Sequence, residues 1–314
     1  MTLRLGISAC LLGDEVRYDG GHKRDSFLTD ILGRFVEFVP VCPEVEAGFG
    51  TPREAMHLRR VSGEIRLVTV KSDRDVTAPM ERAIRGRVPA LDAEHLCGYV
   101  LKKNSPSCGL ERVKIYDRGG VPSASGRGLF AEALVSRFPL LPVEEEGRLS
   151  NPELRENFIE RVFAYYRLRV LFGGRWTAAS VVEFHNAHKL LLMAHSIEGY
   201  RQLGRLVAAS RQLRRADLER RYSEEFMRTM ALVATRRRHT NVLQHMAGYF
   251  KKTLDAESKA ELQSTIDDYR LGLIPLIVPI TLVRHHVRVH NVEYLAGQHY
   301  LQPHPKELML RNHA

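Results

Sequence analysis

Three apolar runs that each end on a cysteine constrain this chain more than any other feature. Leu3-Arg4-Leu5-Gly6-Ile7-Ser8-Ala9 runs into Cys10, and Phe35-Val36-Glu37-Phe38-Val39-Pro40-Val41 runs into Cys42. The third run, Gly98-Tyr99-Val100-Leu101, passes through the polar loop Lys102-Lys103-Asn104-Ser105-Pro106-Ser107 to Cys108. Short apolar runs bounded by turn residues read as buried strands. In an open parallel α/β sheet the carboxyl ends of the strands lie along one edge, where ligands bind in the crevice at a topological switch point. The pattern therefore predicts an α/β, Rossmann-like catalytic domain with a parallel sheet, in which thiols distant in sequence meet in one pocket.

Between the runs, loops and ordinary elements alternate. After Cys10 the polar turn holds Tyr18, Asp19, Gly20, Gly21, His22 and Lys23, and the paired glycines allow close backbone approach to a ligand. An ordinary strand-to-helix turn reads the same way. A short helix is expected over 27–35. Residues 58–70 read as a hairpin turning at Gly63, 76–96 as a helix broken at Pro89, and 113–117 as a strand. A helix over 129–138 and a short strand over 139–143 follow. Glu44, two positions after Cys42, can reach the same pocket to handle protons or orient water, although a glutamate of this kind is commonly a solvated surface residue. Cys97 precedes its strand, at the end opposite Cys108, and reads as a core thiol.

Charge and chemistry are segregated along the 314 residues. Residues 1–150 carry 22 Lys and Arg against 21 Asp and Glu, and the remainder 25 against 16, so nine of the net ten positive charges lie in the second half. All four cysteines lie in the first half and 11 of the 14 histidines in the second. A basic module joined to a nearly neutral one points to a polyanion-binding domain that presents substrate to a catalytic one. The amino terminus shows neither a charged leader with a long apolar core nor a small-residue cleavage site, and no apolar stretch is long enough to span a bilayer. A cytoplasmic protein without a membrane partner is expected, and in that reducing compartment the cysteines read as buried hydrophobes, catalytic thiols or metal ligands.

Asn151-Pro152-Glu153 opens a helix that runs through Phe172, with an N-cap, a proline at the first position and an early acid. Gly173-Gly174 reads as the hinge, dividing the chain into domains 1–172 and 173–314. Beyond it, apolar residues recur at helical spacing over 178–196, 197–215, 218–252 and 257–271, and again over 282–289 after Pro275 and Pro279. An all-α domain follows. Its cations Arg211, Arg214, Arg215, Arg220, Arg221, Arg236, Arg237, Arg238, Lys251 and Lys252 suit nucleic-acid phosphate, since arginine offers planar paired donors. Any single one reads equally as a solvated helix face. His185, His188 and His195 share a face with no carboxylate or cysteine to complete a metal set, so packing or RNA contact is the expectation; His285, His286 and His290 read the same way.

Three converging thiols admit several chemistries. A structural zinc site takes four ligands, often as close pairs, and none of these cysteines forms a C-x-x-C pair. A thiol nucleophile needs one cysteine and a base. A [4Fe–4S] cluster on three thiolates leaves one iron open, a soft Lewis acid suited to a sulfur-containing substrate. Three unrelated buried thiols fit the spacing as well.

The residues also carry a resemblance. Ser8-Ala9-Cys10-Leu11-Leu12-Gly13 with Val16-Arg17-Tyr18-Asp19-Gly20-Gly21-His22-Lys23, then Pro40-Val41-Cys42-Pro43-Glu44, then Ser105-Pro106-Ser107-Cys108-Gly109 resemble the signature of the thiouracil desulfidase family. Phe184-His185-Asn186-Ala187-His188-Lys189 through Ser196, with Leu203-Gly204-Arg205-Leu206-Val207-Ala208, resembles the YbgA-like helical domain. Together the two cover nearly the whole chain, and the fused arrangement is similar to that of bacterial desulfidases acting on 4-thiouridine in tRNA. The resemblance implies a [4Fe–4S] cluster on Cys10, Cys42 and Cys108 whose fourth iron takes the substrate sulfur. It also implies water attack on the thiolated ring carbon without net redox change. On that basis Glu44 is expected as the acid/base group and Ser105 as the hydroxyl that positions or relays a proton, with Ser107 its rival. Ser8, Tyr18, Asp19, Gly20, Gly21, His22, Lys23, Lys103 and Asn104 are expected around the base or ribose phosphate. Cys97 lies outside the three-ligand pattern. The alternatives are a desulfidase of free thiouracil or thiouridine, and a non-catalytic RNA-binding protein with a structural metal.

Overall fold

The computed structural model describes residues 3–117 and 119–312. It divides into two compact units, Met1–Ser150 and Asn151–Ala314. In the first, β1 (Arg4–Ser8), β2 (Glu37–Val41), β5 (Gly98–Leu101) and β8 (Val143–Glu145) form a sheet of order β2-β1-β5-β8. Every pair in it is parallel. The chain leaves β1 for β2 on one side and returns on the other side to β5, so the switch point falls between β1 and β5. The central strands are buried on both faces, as their unbroken apolar runs require. Gly6 makes the packing possible: a Cβ there would stand 2.1 Å from the Tyr99 ring of β5.

A second sheet lies outside the cysteine-run pattern. β3 (Met56–Val61) and β4 (Glu64–Thr69) make the expected hairpin, with Gly63 at φ 88° in its turn. β6 (Val113–Tyr116) joins β3 in parallel, and β7 (Pro122–Gly126) pairs antiparallel with β6. The helices of this unit are α1 (Pro43–Glu46), α2 (Thr77–Ala90) and α3 (Leu129–Arg137). Pro89 sits in the last turn of α2, close to its end. The segment expected as a helix over 27–35 is a π turn, Phe27–Ile31, followed by a 3-10 turn, Leu32–Arg34. The last strand starts at Val143, later than the proline-bounded stretch 139–143 implied, because Pro139 and Pro142 have no N–H to give a ladder.

The second unit is all-α: α4 (Pro152–Phe172), α5 (Ala178–His195), α6 (Ile197–Ala208), α7 (Arg215–Met230), α8 (Arg236–Ala247), α9 (Ala256–Leu271), α10 (Ile277–Val289) and the single turn α11 (Glu293–Ala296). Asn151 caps α4 as expected, its side chain accepting the Leu154 N–H at 3.1 Å. The expected domain boundary at 172/173 is corrected to 150/151. The inner face of α4 buries Phe158, Ile159 and Val162, and Glu160 bonds His195 of α5, so this helix belongs to the second core. The run 218–252 is two helices. Side chains from elsewhere take the carbonyls freed at the break: Asn157 Nδ2 donates to Met230 O at 3.1 Å, and His195 Nδ1 lies 2.6 Å from Leu232 O. Pro279 lies inside α10 at its third position, where the missing N–H has no helical partner to lose. No helix among the described residues is long and apolar enough to cross a membrane.

Candidate active site

The carboxyl ends of β1, β2 and β5 are neighbours, and each delivers a thiol. Cys10 lies on the 3-10 turn Ala9–Leu11 that follows β1 directly. Cys42 is the residue between β2 and α1, and Cys108 ends the polar loop after β5. All three line one cavity of about 380 Å³, together with Ser8, Glu44, Lys102, Lys103, Asn104 and Ser105. Arg17, Tyr18 and Lys23 from the loop after β1, and Arg53 from the loop after α1, also line it, with Val41 and Met56 among its apolar residues.

The loop carrying Cys108 is fixed from three sides. The Ser8 hydroxyl accepts the Lys102 N–H at 3.0 Å, tying the ends of β1 and β5 together. Ser105 Oγ accepts the N–H groups of Ser107 and Cys108 at 3.2 and 3.1 Å. From β8, Glu145 accepts the Leu110 N–H at 2.7 Å, and Glu146, which pairs with Lys102, accepts the Lys103 N–H at 2.7 Å. The start of α3 then packs onto the loop: the N–H groups of Leu129 and Phe130 reach Pro106 O and Ser107 O at 3.1 and 2.9 Å. Only glycine fits at 128, since a Cβ would stand 2.5 Å from the Ser107 carbonyl.

Glu44 divides its two oxygens. Arg53 grips Oε2 with its Nε at 2.9 Å and with a second guanidinium nitrogen. Oε1 accepts the Ser107 hydroxyl at 2.8 Å and lies 3.5 Å from the Ser105 hydroxyl. Of the two candidate serines, Ser107 is thus the close partner of Glu44. Ser107 is completely buried behind the cavity wall, and the Ser105 oxygen is engaged in holding the loop backbone.

Burial pushes the Cys10 thiol up to about 11, with the neighbouring Cys42 adding to the rise. Burial raises Cys42 too, and lifts Cys108 well above the usual thiol range, reinforced by Glu44 and opposed by the Ser8 hydroxyl. Thiols held protonated are poor nucleophiles, and among the described residues no histidine lines the cavity to act as their base. Metal binding supplies the positive charge that such a set lacks. Around one zinc, with Zn–S bonds of about 2.3 Å, sulfurs stand roughly 3.8 Å apart. The three sulfurs here do not all come within 4.8 Å of one another. Soft donors spread over one pocket fit a cluster of several irons better than a single ion.

The remaining expected residues fall outside the wall. Asp19 is 3.3 Å from Arg17 and accepts the Gly21 N–H at 3.1 Å, so Asp19, Gly20 and Gly21 shape the loop that presents Arg17 and Tyr18. His22 Nδ1 accepts the Arg24 N–H at 3.2 Å and does not line the cavity. Cys97 is buried at the amino end of β5, outside the cavity, its N–H bonded to Arg4 O at 2.8 Å. Arg53, Glu145 and Glu146 were not anticipated, because their partners are distant in sequence and no local spacing marks them.

In the second unit His185, His188 and His195 are buried and pack with side chains. His185 lies 3.2 Å from the Tyr222 hydroxyl, Arg167 donates to His188 at 3.0 Å, and His195 is 3.0 Å from Glu160. His286 is buried, its ring tilted at 57° to that of Phe250 with centroids 5.8 Å apart. Three of the singled-out cations hold the fold, Arg215 donating to Trp176 O, Arg236 to Tyr269 O and Arg238 to His195 O. Arg214 and Arg220 pair with Asp217 and Glu224, whereas Arg211, Arg221, Arg237, Lys251 and Lys252 are exposed.

Three cysteines at the ends of adjacent parallel strands thus wall one pocket beside a buried acid–hydroxyl pair, a donor set of the kind that suits a soft metal. Residues 5–146 match the family model described as 2-thiouracil desulfurase, and residues 189–305 that of a protein of unknown function, DUF1722. The uncharacterized protein YbgA of Escherichia coli K12 is 34% identical over 155 residues, 48% of this chain and 90% of YbgA. The uncharacterized protein YbbK of Bacillus subtilis 168 is 32% identical over 109 residues, 33% of this chain and 71% of YbbK. A solved structure, the [4Fe-4S]-dependent thiouracil desulfidase TudS, is 34% identical and covers 49% of this chain and 96% of its own, with a TM-score of 0.40. The chain belongs to the 2-thiouracil desulfurase family through its first half and continues into a YbgA-like second half.

Proposed function

We propose that the chain is a desulfidase that replaces a thiocarbonyl sulfur on a pyrimidine ring by oxygen from water, and that its substrate is 4-thiouridine within tRNA. The convergence of Cys10, Cys42 and Cys108 on one cavity beside the Glu44–Ser107 pair is the observation that supports it most. A [4Fe–4S] cluster held by these three cysteines would supply a soft Lewis acid for the thiocarbonyl sulfur, with one iron free of protein.

Glu44 lines the cavity, and as a base its carboxylate would take the proton that water gives up on attacking the ring carbon. Arg53 keeps the carboxylate oriented by occupying Oε2. Ser107 donates to Oε1 and holds the carboxylate in place from behind the cavity wall. Ser105 and Ser8 hold the loop that aims Cys108. Water plus thiocarbonyl gives carbonyl plus hydrogen sulfide, so atoms balance with no oxidant or reductant. Lys23, Lys103 and Tyr18 at the mouth suit a nucleotide, with ammonium groups for phosphate and a half-exposed ring for a base. The positive surplus of residues 151–314 favours a polyanion over a free base.

The test is anaerobic incubation of iron- and sulfide-loaded protein with bulk bacterial tRNA, followed by digestion and measurement of 4-thiouridine, uridine and sulfide. Loss of 4-thiouridine matched by uridine and sulfide is expected. The family match favours a second reading, a desulfidase of free thiouracil, and a parallel incubation with 2-thiouracil separates the two. Turnover of the free base with untouched tRNA would replace the first reading by the second.

A further inference from the structure

We infer that one face of the second unit, the exposed stripe of α8 continued to Lys252, is the surface that grips the RNA phosphate backbone, and that the arginines of α6 and α7 are not. This rests on the RNA reading above and assigns it a location. The two regions differ in how their cations are neutralised. On α6, α7 and the cap before α7, Arg205 lies 3.3 Å from Glu198, Arg220 3.2 Å from Glu224 and Arg214 2.7 Å from Asp217, Arg228 pairs with Glu225, and the exposed Arg221 lines the groove together with Glu224 and Glu225. The groove between these helices is lined by Glu224 and Glu225 as well as by arginines. A phosphate entering it meets carboxylates and must displace existing pairs.

On α8 the balance is different. Residues 235–254 contain five Lys and Arg and no Asp or Glu. The helix buries His239, Thr240, Val242, Leu243 and Met246, and the opposite side exposes Arg237, Asn241 and Gln244. The backbone stays helical through the 3-10 turn Gly248–Phe250 to Lys251, which brings exposed Lys251 and Lys252 onto the end of that face. Positions 237, 241, 244, 248 and 251 advance by four and three in turn, the spacing of one helical stripe. At 1.5 Å per residue the stripe is about 21 Å long, enough to pass several phosphates.

A cleft of about 530 Å³ at its amino end is lined by Arg237, Thr240, Asn241, Gln244, Arg236 and Arg270, with no carboxylate among them. Arg236 is anchored to Tyr269 O at 2.9 Å and Arg270 to Asp267 at 3.0 Å, which leaves Arg237 as the free guanidinium there. Free cations interleaved with neutral amides are the side chains that contact phosphate and sugar without reading sequence. The positive end of the α8 dipole lies at Arg236–Arg238 and adds to the same field.

The experiment measures binding of labelled bulk tRNA to the full-length protein across a salt series. The variants are R237Q/K251Q/K252Q on the stripe and R205Q/R228Q in the groove, each checked for an unchanged thermal midpoint. Each lost phosphate contact lowers the salt slope by about 0.7–0.9, so the stripe variant should lose about 2 from the slope and bind about tenfold or more weakly near 0.1 M salt. The groove variant should bind within about twofold of wild type. An unchanged slope in the stripe variant, or an equal loss in the groove variant, would overturn the assignment while leaving RNA as the partner. Wild-type protein that ignores tRNA at low salt would sink the RNA reading itself. Binding instead to phosphatidylserine–phosphatidylcholine vesicles, lost in the stripe variant, would give the face to a membrane and also overturn the proposal.

Discussion

Glu44 sits between a guanidinium on one oxygen and a hydroxyl on the other, and that division sets what each substitution does. Glu44→Gln keeps the shape and an acceptor for Ser107 but removes the base, so turnover should fall by roughly 10²–10⁴ while iron content stays near wild type. Ser107→Ala removes the 2.8 Å donor and should cost less, about 10–10² in kcat. Ser105→Ala should act through the loop, because Ser105 Oγ accepts two backbone N–H groups around Cys108. Retained turnover in Glu44→Gln, measured as sulfide released per loaded cluster, would remove Glu44 from the chemistry. At the thiols, Cys108→Ala should abolish cluster absorbance after reconstitution and Cys97→Ala should preserve it, since Cys97 lies outside the cavity. Loss in both would put Cys97 among the ligands.

Among the elements, the loop between β5 and β6, onto which the start of α3 packs, is the most demanding, because it must hold Cys108, Ser105 and Ser107 in one register. A methyl at residue 128 would sit 2.5 Å from main-chain atoms that cannot rotate away. Gly128→Ala should therefore lift the loop, cost about 1–3 kcal/mol from overpacking, and lower the iron bound per chain; normal iron loading would show that the loop tolerates the shift. What could be read beforehand, and what could not, divides along the same line. The strands ending at Cys10 and Cys42 were legible because apolar runs and turn residues are local signals. Arg53 was not, because its meaning depends on meeting Glu44 across a folded loop. Glu145 and Glu146 carried no local signal either, because the backbone donors they accept from, on Leu110 and Lys103, lie far away in sequence. The break between α7 and α8 was missed for a related reason: residues 231–235 contain no glycine or proline, and the carbonyls freed there are satisfied by Asn157 and His195 from other helices.

At the scale of the whole molecule the two units carry different electrostatic risks, and the second is the acid-sensitive one. Its core buries His185 and His304, each lowered to about 4, and His239, lowered to about 3. Burial is the leading cause for all three, with Lys189 adding to it for His185 and Arg311 for the other two. Unfolding frees each ring to take a proton near its ordinary value of about 6.5 that the folded state refuses until about pH 4 or below. Between those limits the unfolded chain binds more protons, so stability rises with pH and is lost as pH falls from about 6.5 to about 4. Glu160 acts in the same direction at lower pH: burial alone would raise it, but Arg311 and His195 hold it below the usual carboxylate range. Glu156 opposes them, being raised by burial and by Glu160, so its contribution falls as pH rises above about 4.5. Three histidines shifted in one direction outweigh one carboxyl shifted in the other. The thermal midpoint of the helical signal should drop steadily from pH 6.5 to about 4, and His239→Phe, which removes one titrating ring along with its 2.9 Å contact to Tyr300, should flatten the slope even if it lowers the midpoint at pH 7. A midpoint that holds constant down to pH 4.5 would mean that these rings gain protons without unfolding, and that the buried network has room to accept them.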